Sequence, residues 1–315
     1  MAAFGLTLGA LSSLFHTNIY LLELPAHFQL QYWMAGLFLT LIMVLVPYKT
    51  PRLVCGLMTF ALTISFLNIA PWLNFKGRVT PSSSPPPADI VTVLQANVFK
   101  FNFTAEPLID TIKTVNPDII VLSEVTPKWA DALDFLYAEW PHQVVLPQEG
   151  SHGMAVYSKL PFTRTDTAYM TPRDIPAFIL DIEKNDRQFT LVSVHTLPPV
   201  RDSFYDNRNR HFSWIRRNFK DLAERPLIIA GDFNTTMYAP AYKSFIADTN
   251  LNNAREGRGL MNSWYIYRQP YLGLPIDHFL HSDGIKIDAA GRGPDIHSDH
   301  RPLITQFHLR DLKEG

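Results

Sequence analysis

The sequence predicts an α/β fold, its sheets covered by helices, behind an apolar N-terminal unit. Three observations predict it. Residues 89–311 alternate between strand-like and helix-like patterns. Residues 1–88 contain only Glu23, Lys49, Arg52, Lys76 and Arg78 as charged side chains. Between the two, Thr80 to Ala88 reads TPSSSPPPA, and consecutive prolines favour an extended spacer over packed structure. The expected division is 1–76 as a membrane anchor, 77–88 as linker and 89–311 as a domain that carries the chemistry.

The anchor is expected to hold two to three transmembrane helices. Leu53 to Phe75 is free of charge, long enough for a hydrocarbon core of ~30 Å at 1.5 Å per residue. Leu30 to Val46 is a second apolar run, bounded by Tyr32-Trp33 and Pro47-Tyr48, aromatics suited to the interface. Phe4 to Leu22 is weaker, because His16, Thr17 and Asn18 interrupt it. Neither long run has the polar face of a soluble helix. Lys49 and Arg52 lie in the loop between the second and third runs. The positive-inside rule puts that loop in the cytoplasm and the residues after 75 outside it, against the opposing weight of Lys76 and Arg78. The single cysteine, Cys55, forms no internal disulfide and reads as a small buried hydrophobe.

The soluble part follows in order. Asp89–Val98 is β-rich and ends at Asn97. Glu106–Val115 reads as a helix closed by Asn116-Pro117. Asp118–Leu122 is a buried strand that delivers Ser123-Glu124. Pro127–Trp140 places Trp129, Leu133 and Leu136 at helical spacing. Gly153–Ser158 is a short strand. Phe178–Ile182 and Phe189–Val194 form a hairpin around Lys184-Asn185-Asp186. Asp206–Leu222 is a helix with Phe212, Ile215 and Phe219 on one face. Leu227–Ala230 feeds Gly231-Asp232, and His278–His281 and Leu303–His308 complete the strands.

The anchor leaves 24 basic and 28 acidic residues to the rest of the chain, a net of −4. A mildly acidic domain does not hold nucleic acid by bulk phosphate attraction, although a local basic groove is compatible with it. The chemistry sits at strand ends. Glu124 follows a buried strand, where a carboxylate is costly unless paired or metal-bound. With Asn97 it offers the oxygen ligands that suit Mg²⁺ or Mn²⁺. In AGDFN, 230–234, Asp232 can orient or deprotonate a water and Asn234 can hold a phosphoryl oxygen. Alone, this motif is equally an Asx-type turn. In HSDHRPLI, His300 follows Asp299, and Asp277 of PIDHF is a natural carboxylate partner for His300. His195 closes LVSVH and adds a candidate for charge stabilisation. No zinc spacing occurs.

The ordered set Asn97, Glu124, His195, Asp232-x-Asn234, Asp277 and Ser298-Asp299-His300 resembles the endonuclease/exonuclease/phosphatase superfamily, over about residues 89–311. The resemblance implies a four-layer α/β/β/α sandwich of the DNase I-like type and a Mg²⁺-dependent (or Mn²⁺-dependent) phosphodiesterase. It implies metal binding by Asn97, Glu124 and Asp299. Asp232 and Asn234 would position water and phosphate, Asp277 would orient His300, and His195 would contact the scissile phosphate. The anchored architecture is similar to that of bacterial members with a short N-terminal helical anchor. This implies an inner or plasma membrane location with the catalytic domain outside the cytoplasm. Ala96 and Ser123 stand where many members carry Trp and Gln, and neither replaced residue is a ligand.

Between Arg201 and Arg217, five arginines interleave with Phe204, Tyr205, Phe212 and Trp214. A solvated helix face is the simpler reading. Arg208 and Arg210 are the candidates for substrate contact if the patch faces the site. The expected substrate is a phosphoester, either nucleic acid or a lipid or small phosphoester, and no protein partner is inferred. The competing reading is a non-catalytic membrane-attached scaffold that keeps the fold. The intact set of Glu124, Asp232 and His300 argues against it.

Overall fold

Strands buried on both faces read as continuous apolar runs, and Ile119–Ser123 (IIVLS) and Leu227–Asp232 (LIIAGD) do so because each lies inside a layered stack. The computed structural model describes residues 1–15, 19–46, 51–73, 87–266, 269 and 272–310. Its strands are β1 (Val91–Asn97), β2 (Ile119–Ser123), β3 (His142–Leu146), β4 (Met154–Ser158), β5 (Phe162–Tyr169), β6 (Pro176–Lys184), β7 (Arg187–His195), β8 (Leu227–Asp232), β9 (Asn252–Asn253), β10 (Trp264–Tyr265), β11 (Gly273–Leu274), β12 (Asp277–His281), β13 (Ile285–Arg292) and β14 (Leu303–Leu309). The helices are α1 (Ala2–Leu11), α2 (Tyr20–Glu23), α3 (Gln29–Leu45), α4 (Arg52–Ile69), α5 (Glu106–Val115), α6 (Pro127–Ala132), α7 (Asp202–Arg217), α8 (Phe219–Leu222) and α9 (Pro240–Thr249).

Two six-stranded sheets form, ordered β13-β14-β1-β2-β4-β3 and β5-β6-β7-β8-β12-β9. Each has one parallel pair at its centre, β1–β2 and β7–β8, and each pair is joined through a helix on the outer face. Alternation along the strands separates three cores. Val91, Val93, Val121, Leu180, Leu191 and Phe307 fill the space between the sheets. Leu94, Ile120 and Leu122 face outward against Leu108, Ile112 and Trp129 of α5 and α6. Val192, Val194 and Ile229 face outward against Phe212, Ile215 and Phe245 of α7 and α9. The architecture is DNase I-like α/β, with helix layers outside two packed sheets.

Some elements differ from expectation. The Pro127–Trp140 helix stops at Ala132, because Leu133 leaves helical geometry (φ −105, ψ 4), and a 3₁₀ turn follows over Asp134–Ala138. The helix expected over 206–222 begins at Asp202 and breaks at Asn218, whose side chain donates to Trp214 O at 2.8 Å. β5 has almost no buried face, so it lacks the period-2 apolar signal of a half-buried strand. Cys55 is exposed on α4 rather than buried, because this part of the helix turns away from the protein.

Tyr20–Leu45 and Arg52–Trp72 are long and apolar enough to cross a membrane, and little of either is buried in protein. His16, Thr17, Asn18, Pro47, Tyr48, Lys49, Lys76, Arg78 and most of the proline-serine linker lie outside the described residues. The helices are not held away from the rest of the chain. Ile69, Leu30, Trp33 and Trp72 join the outer core beneath α7 and α9. Lys243 Nζ donates to Ser13 O at 3.0 Å and Asn68 Oδ1 at 2.6 Å, and Gln31 Nε2 donates to Gly273 O at 3.2 Å.

Candidate active site

Strand register assembles the site. His195 ends β7 opposite Asp232 at the end of β8, and Asp277 opens β12 opposite the same Asp232. In the other sheet, β1 ends at Asn97 opposite Ser123, and Glu124 follows. Gln95 links the sheets beneath this edge, donating to Gly231 O at 3.3 Å and His278 O at 3.1 Å. Gly231 sits at φ +140, and a Cβ there would lie 1.9 Å from Val194 O. Only glycine therefore allows β7 and β8 to close to this spacing at their catalytic ends. Phe99, Glu124, Asn234 and His297 also have positive φ, so the bordering turns share an unusual backbone conformation.

Asn97 Nδ2 donates to Glu124 Oε1 at 3.3 Å and Asp232 Oδ2 at 3.1 Å. Its Oδ1 accepts from Phe99 N at 3.0 Å, which sets the amide's orientation. Glu124 Oε2 accepts from Lys100 N at 3.0 Å. His300 Nδ1 donates to Asp277 Oδ2 at 2.8 Å, and its Nε2 lies 3.7 Å from Asp232 Oδ2. His195 Nε2 lies 3.6 Å from the same oxygen. Asn234 N donates to Asp232 Oδ1, and Asn234 Nδ2 to Thr196 O, each at 2.8 Å. Ser298 Oγ donates to Asn97 O at 2.8 Å and accepts from His300 N at 3.0 Å, fixing the His300 loop to β1.

Burial and proximity set the charges. Burial lifts the Asp232 carboxyl to about 8, with the neighbouring Asp277 adding to the effect. Burial alone would push His300 down, but the Asp277 and Asp232 carboxylates outweigh it and raise the imidazole to about 10. Burial opposes ionisation of Asp277, yet His300 beside it holds its carboxyl below the usual range. Burial, then His152 and His300, bring His195 to about 3. His195 is thus neutral, and its contact with Asp232 is not an ion pair.

Asn97, Glu124, His195, Asp232, Asn234, Asp277 and His300 are brought together. Asp299 is half-buried beside them, with Oδ2 accepting from Trp264 Nε1 at 3.1 Å. Among the described residues, Asp232, Asp277 and His300 each bring one potential ligand atom within 4.8 Å of the others, and Asn97 joins Glu124 to Asp232 at the edge of this group. Arg208 is not on a substrate-facing surface. It is wholly buried, and its guanidinium donates to Glu23 Oε1 at 2.5 Å and Asn209 Oδ1 at 2.8 Å. Arg210 is exposed on α7, Arg216 pairs with Asp248 at 2.8 Å, and Arg201 stacks on Phe204 at 3.7 Å. The basic helix is therefore mostly a paired and solvated face.

Sequence reasoning missed the supporting residues. Ser263 Oγ accepts from Asp277 N at 3.1 Å, the Arg255 guanidinium donates to Asp277 O, and Trp264 holds Asp299. These lie between Asn253 and Tyr265, where no long strand or helix provides a period to read.

Buried acids facing a protonated histidine, at the open ends of two packed sheets, define a metal-dependent phosphoesterase. Residues 94–300 match the Endonuclease/Exonuclease/phosphatase family. The chain belongs to that family. No curated protein gives a significant match. Among solved structures, Danio rerio TDP2 humanised by 14 mutations is similar at a TM-score of 0.60 and 14% identity, over 70% of this chain and 100% of that one. The human Nocturnin catalytic domain with bound sulfate gives 0.58 and 19%, over 72% and 97%. An endonuclease/exonuclease/phosphatase from Bacteroides vulgatus gives 0.58 and 16%, over 70% and 99%. At these identities the likeness is one of fold.

Proposed function

We propose that this chain is a membrane-anchored, Mg²⁺-dependent phosphodiesterase that works by in-line attack of water. One observation carries the reading. Asp232 stands at the focus of His195, His300 and Asn97, with Asp277 behind His300 and Glu124 behind Asn97.

The residues fit a divalent cation of the hard class. Glu124 and Asp232 offer carboxylate oxygens in one place, both held by the Asn97 amide, and burial makes an ionised Asp232 costly without a cation near it. When bound, Mg²⁺ (or Mn²⁺) supplies Lewis-acid neutralisation of the phosphoryl charge. Asp232 orients the water and takes its proton. His300, charged and held by Asp277, donates to a phosphoryl oxygen as negative charge grows there. Neutral His195 offers a second donor from Nε2. Asn234 shapes the turn beside the phosphate. Asp299, tied to Trp264, completes the rim.

The long apolar helices support membrane attachment, and the Lys49-Arg52 loop supports placing the catalytic domain outside the cytoplasm of a bacterial cell. A nuclease reading has one observation behind it: a Danio rerio TDP2 structure of the same fold is complexed with single-strand DNA product. The paired state of Arg208 and Arg216 weighs against a basic DNA groove on α7.

The test uses the full chain in detergent with Mg²⁺, on bis(p-nitrophenyl) phosphate and on supercoiled plasmid. Diester hydrolysis that falls about 10²–10⁴-fold in both Asp232→Asn and His300→Ala is expected. Undiminished hydrolysis in either variant removes that residue from the mechanism. Nicking by the parent and not by His300→Ala selects nucleic acid as the substrate.

A further inference from the structure

A cavity of about 160 Å³ lies between the N-terminal helical unit and the site, and Asn234 lines it. Leu24, His27 and Phe28 contribute from the turn between α2 and α3. Pro198 and Val200 contribute from the loop that follows His195, and Leu274 and Ile276 from the segment that precedes Asp277. The cavity wall is thus continuous in chain with three residues of the site. Its surface is almost wholly apolar.

The apolar wall, with Asn234 of the site at its edge, describes one ligand: a hydrocarbon chain that runs on from a phosphoester held at the site.

We infer that the N-terminal helices complete the substrate site, and that this cavity takes the acyl chain of a lipid phosphoester whose phosphate lies at Asp232 and His300. The inference rests on the phosphodiesterase reading above and deepens it. The position of the cavity agrees with the anchor. The start of α3 and the end of α4 both pack on the catalytic domain, so this edge of the site lies where the apolar helices emerge from it. Water adds its oxygen to phosphorus, the ester oxygen on the far side leaves with the bonding pair, and the proton from water passes to Asp232.

The experiment measures kcat/KM for p-nitrophenyl alkyl phosphodiesters from methyl to decyl, with the full chain in detergent and Mg²⁺, below the concentration at which the esters form micelles. In each turnover p-nitrophenolate leaves and the alkyl phosphate is released. The expected result is a rise of about three- to four-fold for each methylene buried, levelling once the cavity is full. Val200→Glu and Leu24→Glu should each pull the decyl-to-methyl ratio toward one. Hydrolysis at equal kcat/KM across the series, abolished by His300→Ala, overturns the inference and leaves the phosphodiesterase standing. Hydrolysis of none of the esters, with plasmid also intact, overturns both.

Discussion

Glu23, from the N-terminal helical unit, and Arg208, at the centre of α7, meet at 2.5 Å with neither side chain exposed. Tyr205 OH adds a contact to the second carboxylate oxygen at 3.5 Å. A buried charge of one sign thus lies on each side of the junction, and neither unit is complete without the other. Arg208 is the side chain that a reading of the sequence would assign to substrate. In the fold it ties the helices to the domain that carries the chemistry.

Glu23→Gln should therefore destabilise the protein by about 3–5 kcal/mol, since it leaves Arg208 charged and buried without its partner. Glu23→Met with Arg208→Met should recover most of that loss, because the pair's attraction largely repays its own desolvation. Thermal unfolding in detergent reads both. A Tm in Glu23→Gln equal to the parent's would show that the junction does not depend on this pair.

Gly231→Ala should be more severe than most single substitutions, at about 3 kcal/mol or more. The new Cβ meets Val194 O, and the backbone there lies at φ +140. The strain falls on the β7–β8 pair that sets His195 against Asp232, so activity should fall even in the folded fraction. Circular dichroism and hydrolysis measured on the same sample separate the two effects.

The pH dependence of stability follows from two raised groups. His300 is raised from 6.5 to about 10, so its contribution is complete below about 6.5 and is lost as pH rises through 10. Asp232 is raised from 3.8 to about 8, so its contribution is complete below 3.8 and is lost as pH rises through 8. In metal-free protein the Asp232 share thus declines between pH 3.8 and 8 and the His300 share between 6.5 and 10, so both fall together between pH 6.5 and 8. Asp277→Asn removes the carboxylate that does most to raise His300, and should shift the His300 part of the loss to lower pH. A flat Tm across this range in the metal-free parent would contradict the assignment of these charges.

Glu124→Gln should weaken Mg²⁺ binding at least about ten-fold, read as the metal concentration that gives half the maximal rise in Tm. The side chain stays hydrogen-bonding, so the Lys100 contact and the fold should survive. An unchanged metal titration would take Glu124 out of the metal site.

Much of the site was legible because its residues follow apolar strands. IIVL before Ser123-Glu124, LIIA before Gly231-Asp232 and LVSV before His195 each announce a buried strand whose last residue reaches an edge. The supporting groups were not legible. Trp264 reaches Asp299 from a two-residue strand and Arg255 reaches Asp277 from irregular chain, and in both side-chain direction depends on the whole fold. β5 went unseen because an edge strand with an exposed face has no apolar alternation to display.

The sequence by itself determined the strand-helix order, the apolar N-terminal helices and the identity of the groups that carry chemistry. These follow from local periodicity and from residue types that each segment contains. Only the tertiary structure decided which partners those groups take. It placed Asp232 between His195 and Asp277 through strand register, turned Arg208 inward onto Glu23, and set Leu24, His27 and Phe28 beside Asn234. The reason is physical: side chains 185 positions apart along the chain, such as Glu23 and Arg208, meet only when packing of distant elements brings them together, and no local pattern encodes that meeting.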